Sequence, residues 1–533
     1  MNELSLLIRA DIGPTVGTGH VMRTAALASA WCNIGGAATI VCTADLPSSL
    51  RQRLERGGIF VEIISAETPT DDAAQTCRLA QQTGATWIVV DGYSFNDAYQ
   101  ETLKRSSAKL LVVDDFGHAE HHHADLLLNQ NIYADRSDYG ESKPESLLLG
   151  PRFVLMRDEF SSIETNKKRV PKTAKRIMVT MGGADQGNFT STCLHAIADL
   201  PNNDTISVDV IVGASNDHYE SLQQLCRELP NSVRLHRNTD RMATIIKQCD
   251  LAITAGGSTC YELARCGLPA IVLSTAENQA AVARSFHESG SMVWLGDSDS
   301  VPVQMLTTEI QKLVNDSALR KKMAAANRAL VDGQGAKRIA RRLLQEEMVF
   351  REVAQEDSKQ LWQWRNESIV REGAFQSEEI SWTEHQTWFQ RAMADRLVDI
   401  WIVETRAGES EPAGTRKPVG PVRLNFDSMG TQATISLSIA PEFRGRGWGT
   451  AVIEAACRRA FHSDDIQEIV AWIKPENRSS LAAFDSAGFI EENKSGPSHI
   501  AIHTVDDQPA IKMILRRNQV VPDNKVSRRS KSA

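Results

Sequence analysis

The sequence is short of the features that would place it in several common classes. Its 533 residues hold 9 cysteines, an odd number, scattered and without a CxxC pair. That pattern excludes a secreted disulfide framework and points to reduced thiols in a reducing compartment. No run approaches the ~20 apolar residues of a membrane span. The opening MNELSLLIRAD has no apolar stretch behind a basic one, so it reads as a first strand rather than a signal peptide. Positive charge is not in excess: 59 Lys and Arg against 67 Asp and Glu give a formal net charge of -8. This argues against nucleic acid as the main ligand, which needs a basic face. It leaves anionic small molecules open, because local loops bind those. There is no internal repeat or low-complexity tract. The expected setting is the cytoplasm, with no membrane or nucleic-acid partner, and the oligomeric state stays open.

What is present is a long α/β pattern. LSLLIRA (4–10), ATIVCTA (38–44), TWIVVDGY (86–93) and KLLVVDD (109–115) are short apolar runs separated by amphipathic stretches. A second series follows: RIMVTMGG (176–183), VDVIVGAS (208–215), VRLHRNT (233–239), DLAITAGG (250–257) and PAIVLS (269–274). Continuous apolar strands alternating with helices predict parallel sheets covered on both faces. The polar, basic segment 161–175 suits a linker between two doubly wound, Rossmann-like domains, expected over 1–160 and 161–346. Beyond 346 the texture changes. Tryptophans gather (Trp362, Trp364, Trp382, Trp388, Trp401), and VDIWIVET, PVGPVRLNF and ATISLSI alternate as an antiparallel sheet would. A mixed α/β domain is expected over 347–516. The polar, basic tail 517–533 is expected to be disordered.

The most informative stretch is LLIRADIGPTVGTGHVMRTAALASAW. A strand runs into a glycine-rich loop, Gly13 to Gly19, and a helix starts near His20. The positive end of a helix disfavours a protonated imidazole, so His20 is expected to be neutral and able to accept a proton. Such a group at the mouth of a cleft suits a general base. The alternatives are that His20 only caps the helix, or that the loop binds phosphate alone. Asp11 either orients His20, contacts substrate or caps the loop.

A second constellation lies in the second series. GGAD, with Gly182 and Gly183, follows one strand, and TAGGSTCYELARCGLPAIV follows another. Gly256, Gly257, Ser258 and Thr259 put amides and hydroxyls at a helix start, which is an anion site. Glu262, one turn on, suits the two hydroxyls of a ribose. Asn278 and Gln279 open a later helix near the same strand ends. The competing explanation is tight glycine packing with no ligand. Two glycine-rich strand ends together with the Asn–Gln pair favour the ligand.

RAD, GTGHVMR, DGY, LLLNQN, GGAD, GGSTCYELA and ENQ, in that order, resemble the UDP-sugar hydrolases of pseudaminic acid biosynthesis, which are themselves similar to GT-B glycosyltransferases. The resemblance covers roughly residues 1–346. It implies a GT-B-like pair of domains that hydrolyse UDP-2,4-diacetamido-2,4,6-trideoxy-β-L-altropyranose with inversion at C1. It implies that His20 is the base for water, that Tyr93 lies near the sugar and that Asn278 contacts substrate. UDP is a good leaving group, and the helix start at 256–259 can stabilise its charge, so one base suffices. No metal is expected. His118, His121, His122 and His123 are read as a surface loop, because adjacent histidines point in different directions.

The third constellation is the loop Arg444, Gly445, Arg446, Gly447, Trp448, Gly449, followed by Thr450 on a helix. Successive N–H groups in such a turn form a nest for a pyrophosphate. With Asn477 and Phe484 in VAWIKPENRSSLAAFDSAGF, it resembles the GNAT acetyltransferases, which implies acetyl-CoA as co-substrate. Many of that family carry a tyrosine as acid for the leaving thiolate, and Phe484 in that place cannot give a proton. His385 is one candidate group, and a solvent-exposed helical face explains it equally well. Joining the halves, the C-terminal domain is expected to N-acetylate the UDP-4-amino sugar that precedes the hydrolase substrate. Alternatives are a UDP-sugar glycosyltransferase, or a hydrolase fused to a module that only binds acetyl-CoA.

Overall fold

The computed structural model describes residues 4–10, 19–117, 121–140, 146–161, 163, 170–201, 203–213, 215–230, 232–406, 416–492 and 503–520. The chain divides into two compact units, Met1–Ile339 and Ala340–Ala533.

The first unit contains two parallel sheets. The first is built from β1 (Ser5–Ala10), β2 (Ala37–Cys42), β3 (Ile59–Ile63), β4 (Ala85–Asp91), β5 (Lys109–Val113), β6 (Leu126–Asn129) and β7 (Leu147–Leu149), in the order 3-2-1-4-5-6-7. The second has β8 (Arg176–Thr180), β9 (Ser207–Val212), β10 (Ser232–Arg237), β11 (Leu251–Ala255), β12 (Ala270–Ser274) and β13 (Val293–Asp297), in the order 10-9-8-11-12-13. This is the doubly wound, GT-B-like arrangement. Central strands such as β1, β11 and β12 are buried at every position, as helices on both faces require. The edge strands β3, β10 and β13 are only partly buried. Sequence alone missed β3 and β13 for that reason, since an edge strand needs no continuous apolar run, and it missed the short β7.

In each sheet the strand order reverses once, between β1 and β4 and between β8 and β11. Loops leaving two such neighbouring strands diverge to opposite faces and leave a crevice at the carboxyl edge. The loops singled out in the sequence leave these strands.

The second unit is a mixed sheet of β14 (Met348–Glu352), β15 (Val398–Thr405), β16 (Pro418–Phe426), β17 (Gln432–Leu437), β18 (Glu468–Ile473), β19 (Ile490–Glu491), β20 (His503–Val505) and β21 (Gln508–Arg516). The order is 14-15-16-17-18-21-19, with β20 against β21. Only the β17–β18 pair is parallel. Arg517–Val520, read as tail, is a helical turn held by Arg517, whose guanidinium reaches Asp464 at 2.7 Å. Residues 521–533 lie outside the described residues.

Candidate active sites

His20 is the second residue of the helix Gly19–Asn33, which starts beyond the carboxyl end of β1. Its side chain is buried, and Nδ1 lies 2.6 Å from Asp91 Oδ1, at the carboxyl end of β4. Because β1 and β4 are neighbours, residues 71 apart in sequence meet at the switch point. Asp91 is the partner that sequence reasoning missed: the DGY motif drew attention to its tyrosine. Asp11, Gly13 and the rest of 11–18 lie outside the described residues. Among those described, Asp91 takes the orienting position considered for Asp11.

Burial alone would push the Asp91 carboxyl up, but the Arg23 guanidinium, with help from His20, holds it below the usual carboxylate range. An ionised carboxylate on Nδ1 fixes the tautomer with Nδ1–H and leaves the Nε2 lone pair for a proton. Tyr93 stands beside the ring, edge to face at 5.1 Å, and its hydroxyl donates to Asp115 at 3.4 Å. It is 52% exposed, so an aromatic face and a polar tip flank the imidazole.

The second sheet presents its loops from the equivalent edge. An added Cβ at Gly182, Gly183 or Gly257 would meet no atom within 4 Å, so the space on that side of each backbone is open. Ser258 is exposed and makes no side-chain cap, and Thr259 opens the helix Thr259–Cys266. Glu262 sits one turn on, and its Oε1 accepts from Arg157 Nε and Nη2 at 3.1 and 2.8 Å. Burial pushes the Glu262 carboxyl up, and Arg157 offsets only part of this. Asn278 is exposed in the short turn Glu277–Gln279. Gln279 faces inward: its Oε1 accepts from Gly256 N and Thr275 N, both at 3.1 Å, tying the ends of β11 and β12 together. The turn therefore packs against the glycine loop and sets Asn278 beside it.

Two supports were not legible beforehand. Asp185 of GGAD is buried and accepts from Phe189 N and Thr190 N, capping the helix Phe189–Ala198. Gly213, after β9, packs on Gly183: a Cβ there would lie 2.2 Å from Gly183 O. Gly213→Ala is therefore expected to displace the Gly183 amide, at about 1–3 kcal/mol of overpacking. In thermal melts the melting temperature falls.

The two halves of this unit meet through polar groups. Tyr261, on the 259–266 helix, donates to Asn131 Oδ1 at 3.1 Å and accepts from Ile132 N at 3.1 Å. Asn131 in turn donates to Asp115 Oδ1 at 3.0 Å. The surface-loop reading of the histidines needs correction. His121 is exposed, but the His122 side chain is 8% exposed and lies 3.3 Å from Asp114, and His123 pairs with Asp97. The rings of His122 and His123 are drawn to different carboxylates, so they do not converge. His118 lies outside the described residues.

In the second unit, the helix Trp448–Ala460 follows the 444–447 turn. Gly445, Arg446 and Gly447 are exposed, whereas Trp448 and Thr450 are buried and Trp448 packs on Phe443. Gly449 is half-buried in the first turn. The Arg444 guanidinium donates to Ile439 O at 2.6 Å and Glu367 at 2.5 Å, so it braces the turn. What this loop offers an anion is its exposed backbone at 445–447 and the exposed Arg446 side chain. β17 and β18 pair only over Gln432–Thr434 and Glu468–Val470. Beyond these, 435–437 pair only with β16 and 471–473 only with β21, so β17 and β18 part and a wedge opens next to the turn. Asn477 caps the helix Arg478–Ser486, accepting from Ser480 N at 3.1 Å. Phe484 is buried edge-on against Phe489. His385 is not on an exposed face: it is 3% exposed, stacked between Trp382 and Phe389, and its Nε2 has no hydrogen-bond partner. Burial lowers its pKa.

All nine cysteines are free. Among the described residues no helix is long and apolar enough to cross a membrane, and no group of three or more His, Cys, Asp and Glu is arranged to hold a metal ion.

Residues 176–343 match the glycosyltransferase family 28 C-terminal domain, and residues 347–490 match the acetyltransferase (GNAT) domain. The chain is 26% identical over 250 residues to the spore coat polysaccharide biosynthesis protein SpsG of Bacillus subtilis, covering 45% of this chain and 71% of that protein. It is 26% identical over 264 residues to the UDP-2,4-diacetamido-2,4,6-trideoxy-β-L-altropyranose hydrolase of Campylobacter jejuni, covering 49% of this chain and 87% of the hydrolase. An uncharacterized protein of Methanocaldococcus jannaschii is 21% identical over 527 residues, covering 94% of this chain and all of that one. The chain thus joins a region similar to UDP-diacetamido-trideoxy-altropyranose hydrolases, whose end matches the family 28 C-terminal domain, to a region that matches the GNAT acetyltransferase domain.

Proposed function

We propose that the first unit hydrolyses UDP-2,4-diacetamido-2,4,6-trideoxy-β-L-altropyranose to UDP and the free sugar, with inversion at C1. The observation that carries this reading is the buried His20–Asp91 pair, 2.6 Å apart, at the switch point of the first sheet. His20 Nε2 takes a proton from water as the water oxygen attacks C1. The C1–O bond to the diphosphate breaks, and its electron pair leaves with UDP. The helix start at 257–259 and the amides at 182 and 183 receive the charge that develops there, so no acid is required. Glu262 meets the ribose, while Tyr93 and Asn278 flank the sugar. Similarity to the Campylobacter jejuni hydrolase supports the choice of substrate.

The second unit binds acetyl-CoA, its pyrophosphate on the amides of 445–449 and its pantetheine arm in the wedge between β17 and β18. It transfers the acetyl group to the 4-amino group of the sugar nucleotide one step earlier. The amine nitrogen bonds to the acetyl carbon and gives up one proton to water, the C–S bond breaks, and the thiolate takes a proton from water in turn, since Phe484 has none to give. Covalent linkage keeps the product of one step near the site of the next.

The test is NMR of the purified full-length protein with the UDP-diacetamido sugar in water alone. Prompt release of UDP, with the inverted anomer appearing first, is the expected result. UDP release only after an acceptor is added would convert the reading to a glycosyltransferase. Acetyl-CoA binding without acetylation of the UDP-4-amino sugar would leave the second unit a binding module.

A further inference from the structure

Arg23 lies three residues after His20 on the same helix, so both side chains leave one face. Its guanidinium is taken up on every side. Nε donates to Asp91 Oδ2 at 2.6 Å, and Nη2 donates to Asp91 Oδ1, also at 2.6 Å. Nη1 and Nη2 donate to the two oxygens of Asp115 at 3.0 Å each. Nη2 stands 3.4 Å from His20 Nδ1. Asp91 is wholly buried and the Arg23 side chain is 15% exposed, so solvent screens this cluster little.

A buried carboxylate that faced only an imidazole would hold it as imidazolium, and a ring already protonated cannot take a proton from water. Here the carboxylate's charge is shared with a guanidinium that never deprotonates. We propose that Arg23 is a positioning residue that keeps His20 neutral between turnovers, by carrying the permanent positive charge that Asp91 would otherwise draw from the ring. The inference rests on the reading of His20 as the base. The fork also holds Asp91 in the orientation that leaves Oδ1 on Nδ1. The charged and titratable groups facing His20 among the described residues are Arg23 on its own helix, and Asp91 and Tyr93 from the end of β4. Asp115 stands behind them, bonded to both Arg23 and Tyr93. Removing the cation must raise the affinity of the ring for a proton, and removing Asp115 must lower it.

The experiment uses full-length, ligand-free protein with carbon-13 labelled histidine, the His20 signal being identified by its absence in His20→Gln. In Arg23→Gln the pKa of His20 is expected to rise by about one unit or more. In Arg23→Lys, which keeps the charge but not the fork, it moves by less than about half a unit. Asp115→Asn, which retains an acceptor for Arg23 and Asn131, moves it down and carries the test if Arg23→Gln does not fold. The acid limb of kcat for UDP release shifts in the same directions. Arg23→Gln therefore loses most activity at low pH and recovers it as pH rises. A His20 pKa that stays put in the folded variants, with kcat lowered equally at all pH values, would overturn the inference. If the wild-type protein releases no UDP, the hydrolase reading fails, and the titration still decides the role of Arg23.

Discussion

His20→Gln is expected to lower the turnover of the UDP-diacetamido sugar by about a thousandfold, the scale of a lost general base. Glutamine fills much the same volume and can still bond to Asp91, but it takes no proton from water. The loss belongs to kcat. In the proposed reading the 256–259 loop of the other sheet grips UDP, so KM and the affinity for UDP are expected to stay within a few-fold of wild type. Asp91→Asn follows closely. As Nε2 gains its proton the ring becomes positive, and the buried carboxylate at 2.6 Å is the group that stabilises that charge. An amide cannot do this, and it also sets an N–H against one of the two Arg23 donors on Asp91. Asp91→Asn should therefore melt earlier, whereas His20→Gln should not. Stopped-time UDP assays beside thermal melts separate the two effects. Rates unchanged in His20→Gln would remove this residue from the chemistry.

The parts of this site that were legible in the sequence share one property: their signal is local. Gly19 and His20 stand at a strand-to-helix junction, Gly256 to Thr259 at another, and Gly445 to Gly449 at a third. Each motif is complete within a few residues and is read from backbone chemistry alone. The central strands were legible for a similar reason, since burial on both faces leaves a continuous apolar run. Asp91 and Arg23 were not, because nothing in either neighbourhood names the other. They meet only because β4 lies next to β1, a pairing set by the topology of the whole sheet. Gln279 shows the same limit from the other side. Its place beside Asn278 suggested a ligand contact, yet its carbonyl oxygen serves Gly256 and Thr275. His385 was ambiguous on a helix, and packing decided it by setting Trp382 and Phe389 against its two faces.

In the second unit the largest effect is expected from Gly447→Val, which should weaken acetyl-CoA binding at least about a hundredfold. Gly447 precedes the helix Trp448–Ala460 with φ of 80°, a left-handed conformation that a β-branched residue resists by roughly 1–2 kcal/mol. That strain alone is worth about tenfold in affinity. The remainder comes from the nature of the site. Arg444 is committed to Ile439 and Glu367 and Trp448 is buried, so the turn offers the phosphates its exposed backbone at 445–447 and the exposed Arg446 side chain. A valine here either covers that backbone or turns it away. Isothermal titration with acetyl-CoA reads the loss directly. The same protein carries its own control, because UDP release depends on the first unit and should be unchanged in Gly447→Val. Equal affinity for acetyl-CoA in the variant would show that the phosphates are held elsewhere, and a parallel loss of UDP release would show that the substitution had damaged more than this turn.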